Sequence, residues 1–98
     1  MPTYLVFLRW TDQGIKQIKG RPARHEAGQR LLEAAGARVK AFYMVTAGGF
    51  DALAIWEAPD DETVARLSLA VESKGEVRFE ILRAFTEDEY RKIIAALP

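Results

Sequence analysis

His25 is the one side chain here whose ordinary pKa suits proton transfer near neutrality. Lys19, Arg21 and Arg24 flank it around Pro22, and this cationic corner could hold a carboxylate or an enolate, helped by the amides of a helix restarting there. In an enzyme His25 would be the proton-handling group, because neighbouring cations lower an imidazole pKa and keep the ring neutral as a base. As an ordinary helix residue it would instead be a solvated ring with no cavity within reach. The absence of cysteine excludes a thiol nucleophile, a disulfide and a thiolate metal site, and one histidine cannot build a cluster. No metal and no cofactor is therefore expected. Trp10, Trp56, Tyr4, Phe42 and Tyr43 supply rings for the walls of an aromatic-ligand pocket between sheet and helices, or else for a core and an interface. Trp10, Trp56 and Tyr43, with Lys19, Arg21 and Arg24, are the candidate ligand-binding residues.

Two other chemistries are weaker. An N-terminal proline amine at Pro2 could act as a base, as in tautomerases, but the chain has more elements than one tautomerase unit. An RNA-recognition module would share the element order expected below, yet its third strand should be basic and aromatic. Here that segment reads FDALAIWEA, with Asp51 and Glu57 in it.

Those side chains must be held by a chain of 98 residues, 49% hydrophobic and 29% charged, which is the composition of one globular domain spanning 1–98. Formal net charge is +0, so there is no overall field for nucleic acid or an anionic membrane, and neither partner is expected. The charge is nevertheless uneven. Residues 1–50 carry eight Lys or Arg against three Asp or Glu, and residues 51–98 carry six against eleven. Such asymmetry suits either steering of an anionic ligand or pairing of one subunit's halves with another's. Met1 to Trp10 shows no basic leader and no long apolar run, so the expected compartment is the cytoplasm.

Thr3 to Trp10 is dense in aromatic and branched residues and predicts a strand. Thr11 then caps a short helix with Ile15 and Ile18 as its apolar contacts, and Gly20 to Pro22 break it. Ala23, Ala27, Leu31 and Ala34 have the spacing of one helical face, ended by Gly36. Residues 39–47 and 50–58 read as two strands joined by Gly48 and Gly49, whose freedom suits a tight hairpin turn. Pro59 stops the second of these, Asp60 caps a helix with Val64, Leu67, Ser68 and Val71 on one face, and residues 76–85 predict a fourth strand. Thr86 and Glu89 have capping-box spacing for a last helix that buries Tyr90, Ile93, Ile94 and Leu97. The order βαββαβ plus a helix predicts an α+β, ferredoxin-like fold with a four-stranded antiparallel sheet and both crossover helices on one face. Both alternations of the first and third strands are apolar: Leu5 and Phe7 oppose Tyr4, Val6, Leu8 and Trp10, while Leu53 and Ile55 oppose Ala52, Ala54 and Trp56. The face without crossover helices must then be covered, in part by the last helix or wholly by an identical subunit, and a homodimer or higher oligomer is expected.

Gly49, Phe50 and Asp51 match a Gly-Tyr-Asp signature, with phenylalanine in place of tyrosine. MPTYLV, TDQGIKQIK followed by Pro22 and Arg24, KAFYM, GGFD, EAPDDE and VRFEILRAFTEDE come in matching order, so nearly the whole chain resembles the GYD-domain family. The resemblance implies a dimeric α+β barrel type of fold and leaves the activity open. The missing phenol at Phe50 removes a proton donor from that position. Asp51 is expected to satisfy amides of the glycine turn. Three functions compete: a small oligomer binding an anionic or aromatic molecule or associated with stress, a cofactor-independent enzyme of the monooxygenase or isomerase kind, and a structural or interaction module. A closed pocket holding a titratable residue would favour the enzyme, and a pocket alone the binder.

Overall fold

A computed structural model describes residues 1–46 and 48–98. The chain runs β1 (Thr3–Trp10), α1 (Asp12–Lys16), a 3-10 turn (Ile18–Gly20), α2 (Arg21–Ala34), β2 (Arg38–Met44), β3 (Ala52–Glu57), α3 (Asp61–Glu72), β4 (Val77–Ala84) and α4 (Glu87–Ala95). The strands form one sheet in the order β2-β3-β1-β4, with each neighbouring pair antiparallel. This is the ferredoxin-like α+β arrangement that the sequence predicts.

Local chemistry sets the helix starts. The Thr11 hydroxyl accepts from the Gly14 amide at 3.1 Å, and the Asp60 carboxylate accepts from the Thr63 amide at 2.8 Å. Thr86 and Glu89 form the full capping box at the start of α4. At the other end of α2, Gly36 takes a φ of 80°, the left-handed geometry that closes a helix.

Directly paired strand residues share a face, so the register sorts the sheet. Tyr4, Val6 and Leu8 lie beside Trp56, Ala54 and Ala52 on one face, and Ile81 and Phe79 of β4 join them. Leu32 of α2 and Val64 and Leu67 of α3 pack on this face and complete the buried core. Each such aliphatic side chain contributes about 1.5–3 kcal/mol when fully buried.

Several expectations need correction. Ala23, Ala27, Leu31 and Ala34 do not face the core; all four are exposed, and α2 turns Arg21, His25, Gly28 and Leu32 toward the sheet instead. Alanines offer little area to bury, so one leucine and the stems of longer side chains decide the rotation. Ile15 and Ile18 are likewise exposed, and α1 buries Gly14. The link between β2 and β3 is longer than a two-glycine turn: β2 ends at Met44, β3 begins at Ala52, and only Gly48 of the pair has positive φ. Ala47, assigned to the strand from the sequence, lies outside the described residues.

The last helix differs most. Tyr90, Ile93, Ile94 and Leu97 are between 45% and 62% exposed, and α4 contributes no buried residue. The molecule is correspondingly elongated, with a radius of gyration of 14.7 Å against about 12.6 Å for a compact chain of this length. The second sheet face therefore stays open. Leu5, Phe7, Leu53 and Ile55 are half-buried along its centre, and Leu82 and Tyr43 are exposed at its flanks.

Candidate functional site

The break between α1 and α2 lets the start of α2 lean over the edge of the sheet formed by β2 and the end of β1. A cleft of about 330 Å3 results, lined by Trp10, Ile18, Arg21, His25, Phe42 and Met44, with Pro22 at its rim. Its walls are almost wholly carbon. A smaller hollow of about 40 Å3 lies deeper, between α2 and the sheet, and shares Arg21, His25 and Phe42 while adding Trp56, Leu8 and Phe79. Small-molecule sites commonly span roughly 300–1,000 Å3, so the outer cleft is at the small end of that range.

His25 is half-buried, its ring 4.3 Å from that of Phe42. Burial pushes its pKa below the ordinary imidazole value, the Arg21 charge pushes it the same way, and Glu26 opposes both. The ring is neutral at pH 7 and makes no hydrogen bond to a described residue. Among the described residues no carboxylate bonds to it to orient it as a base.

The cations do not act alike. Lys19 is exposed and lines neither hollow. Arg24 is pinned: its guanidinium pairs with Glu76 and donates to the Gln17 carbonyl at 2.5 Å. Arg21, with a side chain only 16% exposed, stands 3.8 Å from the same Glu76 carboxylate, which is already engaged by Arg24. Burial lowers the Arg21 pKa, as does Arg24, and Glu76 partly restores it. Two guanidiniums share one carboxylate, so this corner carries one unbalanced positive charge beside the cleft.

The structure thus brings Trp10, Arg21 and His25 together, places Trp56 at the deep end, and holds Arg24 just behind. Tyr43 is elsewhere. It pairs with Leu53 on the open sheet face, whereas Phe42 pairs with Ala54 and faces α2. A β-bulge between Val39 and Ala41 shifts the alternation by one residue, so parity counted along the sequence selects the wrong ring. Sequence reasoning also missed Glu76, Ile18 and Met44. The role of Glu76 depends on contact with side chains more than 50 positions away, which no local pattern carries.

The signature turn sits at the other face. Phe50 packs on Phe7 with ring centroids 4.6 Å apart, the Arg9 guanidinium lies over the Phe50 ring at 4.7 Å, and the Arg9 Nε donates to the Gly49 carbonyl. The Asp51 carboxylate accepts from the Trp10 amide at 2.9 Å. Among described residues that strand amide, not an amide of the glycine turn, is the partner of its side chain. Asp51 extends the β1–β3 pairing beyond Leu8, where the ladder ends. Among the described residues no group of three His, Asp or Glu side chains could hold a metal ion.

An α+β sheet with both crossover helices on one face, closed at the β2–β3 loop by Gly49-Phe50-Asp51, defines the class. The GYD domain matches residues 4–94, and the chain belongs to the GYD family. A Thermus thermophilus relative called "Glutamine synthetase and cystathionine beta-lyase binding protein" is 39% identical over 85 residues, covering 86% of this chain and 88% of the relative.

Proposed function

We propose that this protein works by binding other proteins, as a homodimer that docks on a metabolic enzyme and modulates it in the cytoplasm. The open sheet face carries the reading. Leu5, Phe7, Leu53, Ile55 and Leu82 form a continuous apolar surface that neither α2 nor α3 covers, with Tyr43 and Phe50 at its margins. A face of this kind is an interaction surface. The twofold pairing of two such faces is self-complementary and leaves α4, with its apolar residues exposed, to reach a partner. The relative's name supports enzymes as the class of partner. In the described residues no helix is long and apolar enough to cross a membrane.

Turnover is the less favoured reading. His25 stands at a cleft in its neutral form, but among the described residues no side chain orients it and the cleft holds no further acid or base except the cationic Arg21.

The test has two parts. Sedimentation equilibrium at micromolar concentration should give twice 11.0 kDa or more, and Leu53→Glu should return the chain to 11.0 kDa. Immobilised protein should retain purified glutamine synthetase or cystathionine beta-lyase from the organism that encodes it. A monomer that binds neither enzyme overturns the proposal.

A further inference from the structure

We propose that the cleft between the start of α2 and β2 is a binding site for a small carboxylate with a flat or branched apolar body and no amino group. It lies on the sheet face opposite the open one, so it is separate from the surface given above to protein partners.

Three observations converge on this chemistry. The cleft has a volume of about 330 Å3 and walls formed by Trp10, Ile18, Phe42 and Met44, which suits an apolar body and rewards an aromatic ring. At one side stand Arg21 and His25. Arg21 shares Glu76 with Arg24, and the shorter of the two contacts belongs to Arg24, so a positive charge with a 16% exposed side chain is left without a carboxylate of its own. Charge buried to that degree is costly unless paired, and an incoming carboxylate would pair it. The 14-residue α2 also begins here, and its N-cap, Gly20, supplies no side-chain acceptor. The positive end of that helix adds to the attraction for an anion.

The neutral His25 can donate one ring N–H to the second carboxylate oxygen while its ring stays against Phe42. An ammonium group would fare badly. No acidic side chain lines the cleft among the described residues, and Glu76, the nearest buried carboxylate, is already engaged by two arginines. The site should therefore prefer aryl or branched carboxylic acids, 2-oxo acids included, over the corresponding amino acids.

The two tryptophans of the chain are reporters, since Trp10 lines the cleft and Trp56 the hollow beneath it. Tryptophan fluorescence of the full chain would be titrated with 3-phenylpropanoate, 3-phenylpropanamide and phenylalanine. The carboxylate is expected to bind about tenfold or more tighter than the amide or the zwitterion. Arg21→Met should abolish that preference while leaving amide binding in place, and Arg21→Lys should keep part of it. Arg24 should still pair Glu76 in both variants, and thermal melts would check that they fold. Amide shifts in a nitrogen–proton spectrum should cluster at Trp10, His25 and Phe42. Equal affinity for the amide, a preference that survives Arg21→Met, shifts confined to the open sheet face, or no binding of 3-phenylpropanoate at millimolar concentration would each overturn the proposal. None of these results depends on whether an enzyme partner is found.

Discussion

Gly14 is the point where α1 touches the beginning of β4, and replacing it with alanine is the sharpest probe of that joint. A Cβ there would press into the backbone carbonyl of Glu76, meeting its oxygen far inside van der Waals contact and its carbon at 3.1 Å. The neighbour is backbone and cannot swing aside, so α1 must withdraw by about 1 Å. That movement breaks the Thr11 amide bond to the Glu76 carbonyl, now 3.0 Å, and the Thr11 hydroxyl bond to the Gly75 carbonyl, now 2.6 Å. Each lost bond costs about 1 kcal/mol and the overpacking about 1–3 kcal/mol, while alanine's better helix propensity returns about 1 kcal/mol. The net expected loss is about 2–4 kcal/mol. Gly28 in α2 is the control, because its Cβ would meet nothing within 4 Å. Gly28→Ala should stabilise by about 0.5–1 kcal/mol. Urea unfolding of both variants, with unchanged slope, separates the two signs. A Gly14→Ala midpoint equal to wild type would refute the close approach.

Asp51→Ala should cost about 2 kcal/mol by urea unfolding, because it leaves the Trp10 amide without its acceptor, whereas Asp51→Asn should keep most of that stability. His25 binds its proton less readily in the fold than in the unfolded chain, so stability should fall as pH drops through the unfolded value near 6.5 toward the lower folded one. His25→Gln should flatten that slope in melts recorded between pH 7 and 5 and leave stability at pH 7 nearly unchanged; a slope that persists assigns it to another group. Thr86→Ala removes the capping box of α4 at a local cost of about 1 kcal/mol, which hydrogen exchange should report as faster exchange within α4 alone. A fall in protection of β1 or β3 would contradict the detached position of that helix.

The elements with local signals were legible from the residues. Thr11, Asp60 and Thr86 are caps because a short side-chain oxygen beside a helical run has one geometric use, and the dense run from Thr3 to Trp10 has length for a strand but not for a helix. The exposed α4 was not legible. Apolar spacing shows which face of a helix wants cover and says nothing about what supplies it. A count by twos along β2 would misplace Phe42 and Tyr43, because the bulge is fixed by pairing with β3, a partner the strand's own residues do not name. The cleft was half legible: the cluster around Pro22 pointed to Arg21 and His25 and the strand rings to Trp10 and Phe42, but Ile18, Met44 and Glu76 enter through tertiary contacts. Three of the four positions in the assumed face of α2 were alanines, too small to fix its rotation.

The Glu76 joint also bears on when the molecule can assemble as it leaves the ribosome. Thr11 bonds to Gly75 across 64 positions, and closing a loop of that length costs about 4 kcal/mol in chain entropy before any contact repays it. β1 emerges first yet occupies an interior place in the sheet, with β3 on one side and β4 on the other. Until β4 arrives, β1 has an open edge, α1 has no seat and Arg24 has no carboxylate. The joint thus forms only once the residues around 76 have emerged, and a chain arrested before residue 77 would present an apolar strand with one unpaired edge for a chaperone to hold.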